Sequence, residues 1–191
     1  MILVTVGTEQ FSFNRLMQWI DNLINQNLIK LEQEEVIIQY GSSTFVPNGV
    51  KGYSILQQAD FLSLVKKARL IVAHCGEGTL DLLALVNKPF ILVPRSHDFQ
   101  EHVDDHQIEL AQQLSKQGIP IATSQQDLSD FVINPFVAQL STTPEKYYTQ
   151  ASVCLEQELI SNIVVESKLQ KLTKTVRQYL QNSQVIASLI G

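Results

Sequence analysis

The feature that most constrains this chain is a set of short apolar runs alternating with stretches of helical periodicity. ILVTV (residues 2–6), VIIQY (36–40), LIVAH (70–74) and FILVP (90–94) carry apolar, largely β-branched residues on both sides of the pleat. A strand of that kind is buried on both faces, as in a parallel sheet covered by helices. Between these runs apolar residues fall at helix spacing: Phe13, Leu16, Met17, Ile20, Leu23 and Ile24, then Phe61, Leu64 and Val65 behind Asp60, which reads as a cap. Residues 80–86 read as a short apolar helix after a turn at residues 76–79. A further helix runs through Ile108, Leu110, Ala111 and Leu114 and ends near Gly118. Weaker strand signals lie at residues 53–56 and 120–122. The alternation predicts an α/β fold, a doubly wound parallel sheet with right-handed crossovers. In such sheets ligands bind beyond the C-terminal strand ends.

The strand signal fades after residue 124. Residues 125–140 read as helical, Ser141, Thr142, Thr143 and Pro144 as a linker, and the rest as helix-prone and rich in Gln, Leu and Lys. The expected organisation is an α/β domain over residues 1–140 and a helical extension over 141–191. That extension either packs on the domain or docks a partner or a second copy. A net charge of −5 argues against binding nucleic acid through phosphates. Cys75 and Cys154 form no metal-knuckle spacing and suit a reducing compartment. The first ten residues lack the pattern of a signal peptide, and no apolar stretch reaches membrane-spanning length. The expected location is the cytoplasm.

All four histidines, His74, His97, His102 and His106, fall within one window on the predicted ligand edge. Within AHCGEGT, Gly76 and Gly78 flank a helix start, where unpaired N–H groups and the macrodipole favour an anion such as a diphosphate. Gly7 and Thr8 form a second helix-start loop at the same edge. Residues 95–107 concentrate Arg95, His97, Asp98, Glu101, His102, Asp104, Asp105, His106 and Gln107, groups suited to sugar hydroxyls. His102 and His106 are spaced to share a helix face. A metal could take them with Glu101 or Asp105, but the expectation is no metal and no cofactor. Dinucleotide, P-loop and hydrolase-elbow signatures do not occur.

VTVGTEQFSFNRL, AHCGEGTLDLLALVNKPFILVPR and EHVDDHQIELAQQL, in this order over roughly residues 1–123, resemble the C-terminal-domain family of glycosyltransferase family 28. The resemblance is to its small stand-alone donor-binding subunits. These serve the dolichol-linked N-acetylglucosamine transferase and bacterial capsule and exopolysaccharide transferases. It implies one Rossmann-like half of a GT-B enzyme, with inverting, metal-independent transfer from a UDP-sugar to a lipid-linked acceptor. It also implies a separate membrane-attached acceptor-binding subunit, which would hold this chain at the membrane periphery. Carried over residue by residue, Gly7, Thr8, His74, Gly76, Gly78 and Thr79 surround the diphosphate. Glu101 and His102 reach the sugar, and Asp105 and Gln107 support the helix start. The family's acidic ribose-binding position holds Leu82 here; Asp81 stands one place earlier, and Glu77 replaces a small residue or proline. These departures motivate the alternative of a degenerate, non-catalytic partner or regulatory subunit. A metal-dependent hydrolase built on His102 and His106 is the third reading.

Overall fold

The computed structural model describes residues 1–140; the expected linker and helical extension lie outside them. Five strands form an all-parallel sheet: β1 (Ile2–Thr5), β2 (Val36–Gln39), β3 (Lys51–Tyr53), β4 (Leu70–His74) and β5 (Phe90–Val93). The helices are α1 (Asn14–Asn25), α2 (Gln58–Lys67), α3 (Glu77–Ala84), α4 (His106–Ser115) and α5 (Gln125–Ile133). Strand order is β3-β2-β1-β4-β5, so the chain winds outward from β1 in one direction and then from β4 in the other.

The all-apolar strands behave as their composition requires. β1, β2, β4 and β5 are buried at every position, whereas the edge strand β3 is exposed throughout. Ile2, Val4, Val6, Ile38, Val72 and Val93 pack with Leu16, Met17, Ile20 and Leu23 of α1 and Leu128 and Val132 of α5. Leu3, Ile71 and Leu92 project from the opposite pleat and are equally buried. Among the described residues no helix is long and apolar enough to cross a membrane.

Several expected boundaries move. The third strand lies at Lys51–Tyr53 rather than 53–56, because pairing with β2 favours an edge segment that includes Gly52 over the more apolar residues beyond it. Gln57, not Asp60, stands at the N-cap of α2; Asp60 sits in the first turn, where its charge suits the macrodipole. The turn expected at residues 76–79 is already helical from Glu77. Residues 120–122 supply a single parallel bridge, Leu92 to Ile121. The helix expected over 125–140 opens on a capping box between Ser124 and Asp127 but stops at Ile133. Pro135 accounts for that stop, since it disfavours helical geometry at Asn134.

Candidate functional site

β1 and β4 are neighbours in the sheet, yet their following segments depart in opposite directions along it. That makes their C-terminal ends the topological switch point, where a crevice opens in doubly wound sheets. Both glycine-bearing loops lie there, one after β1 and one after β4. His74, the last residue of β4, sits between them.

The imidazole of His74 explains two of the glycines. A Cβ on Gly7 would stand 2.6 Å from His74 Cε1, and one on Gly76 would stand 2.5 Å from His74 Nε2. Gly7 also has φ +76°, a conformation costly to any residue with a side chain. Thr79 Oγ1, in the first turn of α3, lies 3.4 Å from His74 Nδ1. Gly7, His74, Gly76 and Thr79 therefore form one contiguous group. Thr8 and Gly78 are exposed at its rim.

Gly78 is different, since a Cβ there would meet nothing within 4 Å. Its backbone N–H and that of Glu77 belong to the first turn of α3, which has no side-chain cap. Asp81 and Leu82 are both buried in α3, each 8% exposed. Neighbouring Cys75 is no nucleophile: burial pushes its thiol up to about 12.

Burial pushes the His74 imidazole down to about 4, and the charge of Arg95 adds to the effect, while a hydrogen bond with the Thr5 backbone opposes it. His74 is thus neutral at pH 7 and can face an anion only through an N–H or through space. An unfolded histidine takes up its proton near 6.5, whereas folded His74 resists until about 4. Between those values the unfolded chain binds the extra proton. The stabilising contribution is whole above pH 6.5 and is lost as pH falls towards 4, a difference of about 3 kcal/mol. Denaturant melts at pH 7 and pH 4 should show this fall, and His74→Gln should flatten it by a comparable amount.

The segment between β5 and α4 is organised by two arginines. Arg95 is fully buried. Its Nη1 donates to the carbonyls of Phe11 (2.9 Å) and Glu101 (3.0 Å), and its Nη2 donates to that of Val6 (2.7 Å). The guanidinium also lies 4.7 Å from the centroid of the Phe13 ring. Burial lowers Arg95 to about 10, so it remains charged at neutral pH. Arg15 of α1 donates from Nε and Nη2 to the two carboxylate oxygens of Glu101, at 2.9 and 2.7 Å. It also sits within 5.2 Å of the ring centroids of Phe13, Trp19 and Phe99.

The carried-over residues of this segment fall into place around that network. Glu101 is 3% exposed, and besides Arg15 it accepts from the Ser96 N–H at 3.1 Å. Its carboxylate accepts from protein donors of α1 and of its own loop. Gln107 is buried and accepts from the Arg95 N–H at 3.2 Å, tying the first turn of α4 to the end of β5. Asp105 occupies the N-cap position of α4, yet its carboxylate accepts from the His97 N–H at 2.8 Å. It steadies the loop rather than the helix end. His102 precedes α4, so it does not share a helix face with His106. Their rings still meet edge to face, with centroids 4.5 Å apart. Arg95 itself, grouped by sequence with sugar-recognising side chains, turns both terminal nitrogens to backbone carbonyls, while its buried Nε makes no hydrogen bond to the described residues. Arg15 and Phe13 carried no sequence signal for this role, since both read as ordinary positions of an amphipathic helix start.

A 3-2-1-4-5 parallel sheet with glycine loops at its switch point defines a Rossmann-like α/β domain, the architecture of one half of a GT-B enzyme. The profile of the glycosyltransferase family 28 C-terminal domain matches residues 1–160, and the chain belongs to that family. Among its relatives is a UDP-N-acetylglucosamine–N-acetylmuramyl-(pentapeptide) pyrophosphoryl-undecaprenol N-acetylglucosamine transferase of Crocosphaera subtropica. The two are 29% identical over 114 residues, which is 60% of this chain and 30% of that protein. The human UDP-N-acetylglucosamine transferase subunit ALG13 is 31% identical over 125 residues, 61% of this chain and 10% of its own. The Candida albicans ALG13 subunit is 26% identical over 143 residues, covering 70% and 47% of the two chains. The chain thus spans less than half the length of each of these relatives.

Proposed function

We propose that this chain is the donor-binding catalytic subunit of a glycosyltransferase. It moves a hexose or N-acetylhexosamine from a UDP-sugar to a lipid-linked acceptor, with inversion and without a metal. A separate membrane-attached subunit binds the acceptor and holds this chain at the cytoplasmic face of the membrane. The observation that carries the reading is the meeting of two glycine loops around a neutral imidazole at the switch point of a family 28 domain.

In this reading the diphosphate lies across Gly7, Thr8, Gly76, Gly78 and Thr79. The first N–H groups of α3 stabilise charge on it as the sugar leaves. His74 floors the site and donates an N–H without carrying charge. Asp81 serves the ribose from the position beside Leu82. His102 turns Nδ1 to Asp104 at 3.1 Å, which leaves Nε2 for the donor sugar. Glu101, Asp105 and Gln107 position that segment. The general base comes from the partner. A partner accords with the GT-B cleft, which lies between two α/β halves, of which the described residues form one. The word subunit in the name of the human and Candida albicans relatives supports it, and the undecaprenol-linked acceptor named for the bacterial relatives supports a lipid carrier.

A second reading, the non-catalytic regulatory subunit, is favoured by Glu77, whose charge stands in the first turn of α3 where the diphosphate would bind. One assay separates the two. UDP-sugar, a lipid-linked acceptor and the purified chain are combined with and without a membrane-attached acceptor-binding protein. The proposal expects transfer that rises at least tenfold with the second protein. Robust transfer by the single chain would remove the two-subunit element, and silence in both arms alongside absent UDP binding would favour the regulatory reading.

A further inference from the structure

The sequence His102-Val103-Asp104-Asp105-His106 brings three ligand types to one point. One ring nitrogen from each of His102 and His106 and a carboxylate oxygen of Asp104 all lie within 4.8 Å of one another, and the nitrogen facing Asp104 is Nδ1 in both rings. One oxygen, Oδ1 of Asp104, lies against both ring nitrogens and also 3.3 Å from the His106 backbone N–H. Three nitrogens crowd a single oxygen, and full pairing would need a proton on each ring at Nδ1. A cation held among the three groups removes that demand, because imidazole coordinates through an unprotonated nitrogen. The two acids nearest these residues are committed elsewhere: Glu101 to Arg15 and Ser96, Asp105 to His97.

We propose that His102, Asp104 and His106 form a binding site for one divalent transition-metal cation of the zinc class. Two imidazoles and a carboxylate suit zinc, nickel or copper, whereas magnesium and calcium prefer oxygen-only shells. Zinc–nitrogen bonds of about 2.0–2.1 Å place tetrahedral ligand atoms about 3.3 Å apart. The widest pair therefore needs to close by about 1.5 Å at most, and His106 and Asp104, which already touch, need to part slightly. His106 and Asp104 have the freedom to do so, with side chains 48% and 57% exposed, and that exposure also gives the cation a path in. His102 is the fixed member, with its side chain 10% exposed and its ring 6.0 Å from that of Phe11. Three protein ligands leave the fourth position to water or to an oxygen of a bound ligand. Coordination uses Nδ1 of His102, so Nε2 remains free in the metal-bound form.

The site shares His102 with the donor reading but not the groups assigned to the diphosphate. The diphosphate is assigned to α3 and the loop after β1, and UDP binding in the presence of EDTA tests that assignment separately. The test here is zinc titration of the untagged, EDTA-stripped full chain by calorimetry, with Asp104→Asn and His106→Ala alongside. The wild type should bind one zinc per chain in the micromolar range or tighter. Each variant should lose at least tenfold in affinity, since even outer-shell changes cost about 10–100-fold. A cobalt-loaded sample gives a second readout, its visible absorption reporting a four-coordinate site that His106→Ala abolishes. Excess magnesium should not displace the zinc. Equal zinc affinity in wild type and both variants, or no wild-type binding below the millimolar range, overturns the proposal.

Discussion

Arg95→Ala should lower the unfolding free energy by about 3 kcal/mol or more, read from denaturant melts by circular dichroism. The side chain is fully buried and satisfies the carbonyls of Val6, Phe11 and Glu101. Its loss leaves three acceptors without their donor and a void against Phe13, and each buried unsatisfied group costs about 1–3 kcal/mol. The damage should be local in character before it is global, because these carbonyls belong to the loop after β1 and the segment after β5. At denaturant levels where the variant is still folded, amide exchange should accelerate in both segments while the buried strands stay protected. Lysine at this position should rescue only part of the loss, having no planar fork to reach three carbonyls at once. A variant as stable as the wild type would mean that the two segments are held by something other than this guanidinium.

Gly78→Val should abolish UDP binding while leaving the fold intact. Among the described residues a Cβ at Gly78 meets nothing within 4 Å beyond its own helix backbone and chain neighbours, so the substitution introduces no clash there. It also replaces a poor helix former within α3, so stability should change by no more than about 1 kcal/mol. The branched side chain would occupy the space above the first turn of α3, which a diphosphate must enter to reach its N–H groups. Charge-assisted hydrogen bonds are worth about 1.5–3 kcal/mol each, so losing two weakens UDP by roughly 100-fold or more. Calorimetric titration with UDP and a thermal melt of the same sample separate binding from folding. Gly76→Ala could not make that distinction, because its Cβ would collide with the His74 ring. Unchanged UDP affinity in Gly78→Val would place the diphosphate elsewhere.

The sheet was legible in the sequence because burial on both faces leaves no room for polar alternation. The four strands buried at every position fell where their apolar runs lie. The edge strand was misplaced by two or three residues because Lys51–Tyr53 is exposed, and nothing in its composition distinguishes it from a loop. The four histidines lie at or after the C-terminal ends of β4 and β5, the edge on which the sequence placed them. The reason Gly7 and Gly76 must be glycine was not legible, since it depends on the volume of the His74 ring between two loops far apart in sequence. Arg95 was read by its polarity and met instead by its burial. Its carbonyl partners at Val6 and Phe11 lie more than eighty positions away, a distance across which no local pattern operates. The pairing of Glu101 was hidden for the same reason, as Arg15 comes to it from α1.

The central claim is that the first turn of α3 and the loop after β1 hold a UDP diphosphate without a metal. Titration of the full-length chain with UDP in the presence of EDTA tests it most directly. The account predicts saturable binding of one UDP per chain, unchanged by EDTA and absent from Gly78→Val. A wild-type chain that binds no UDP, or loses it when EDTA is added, would contradict it.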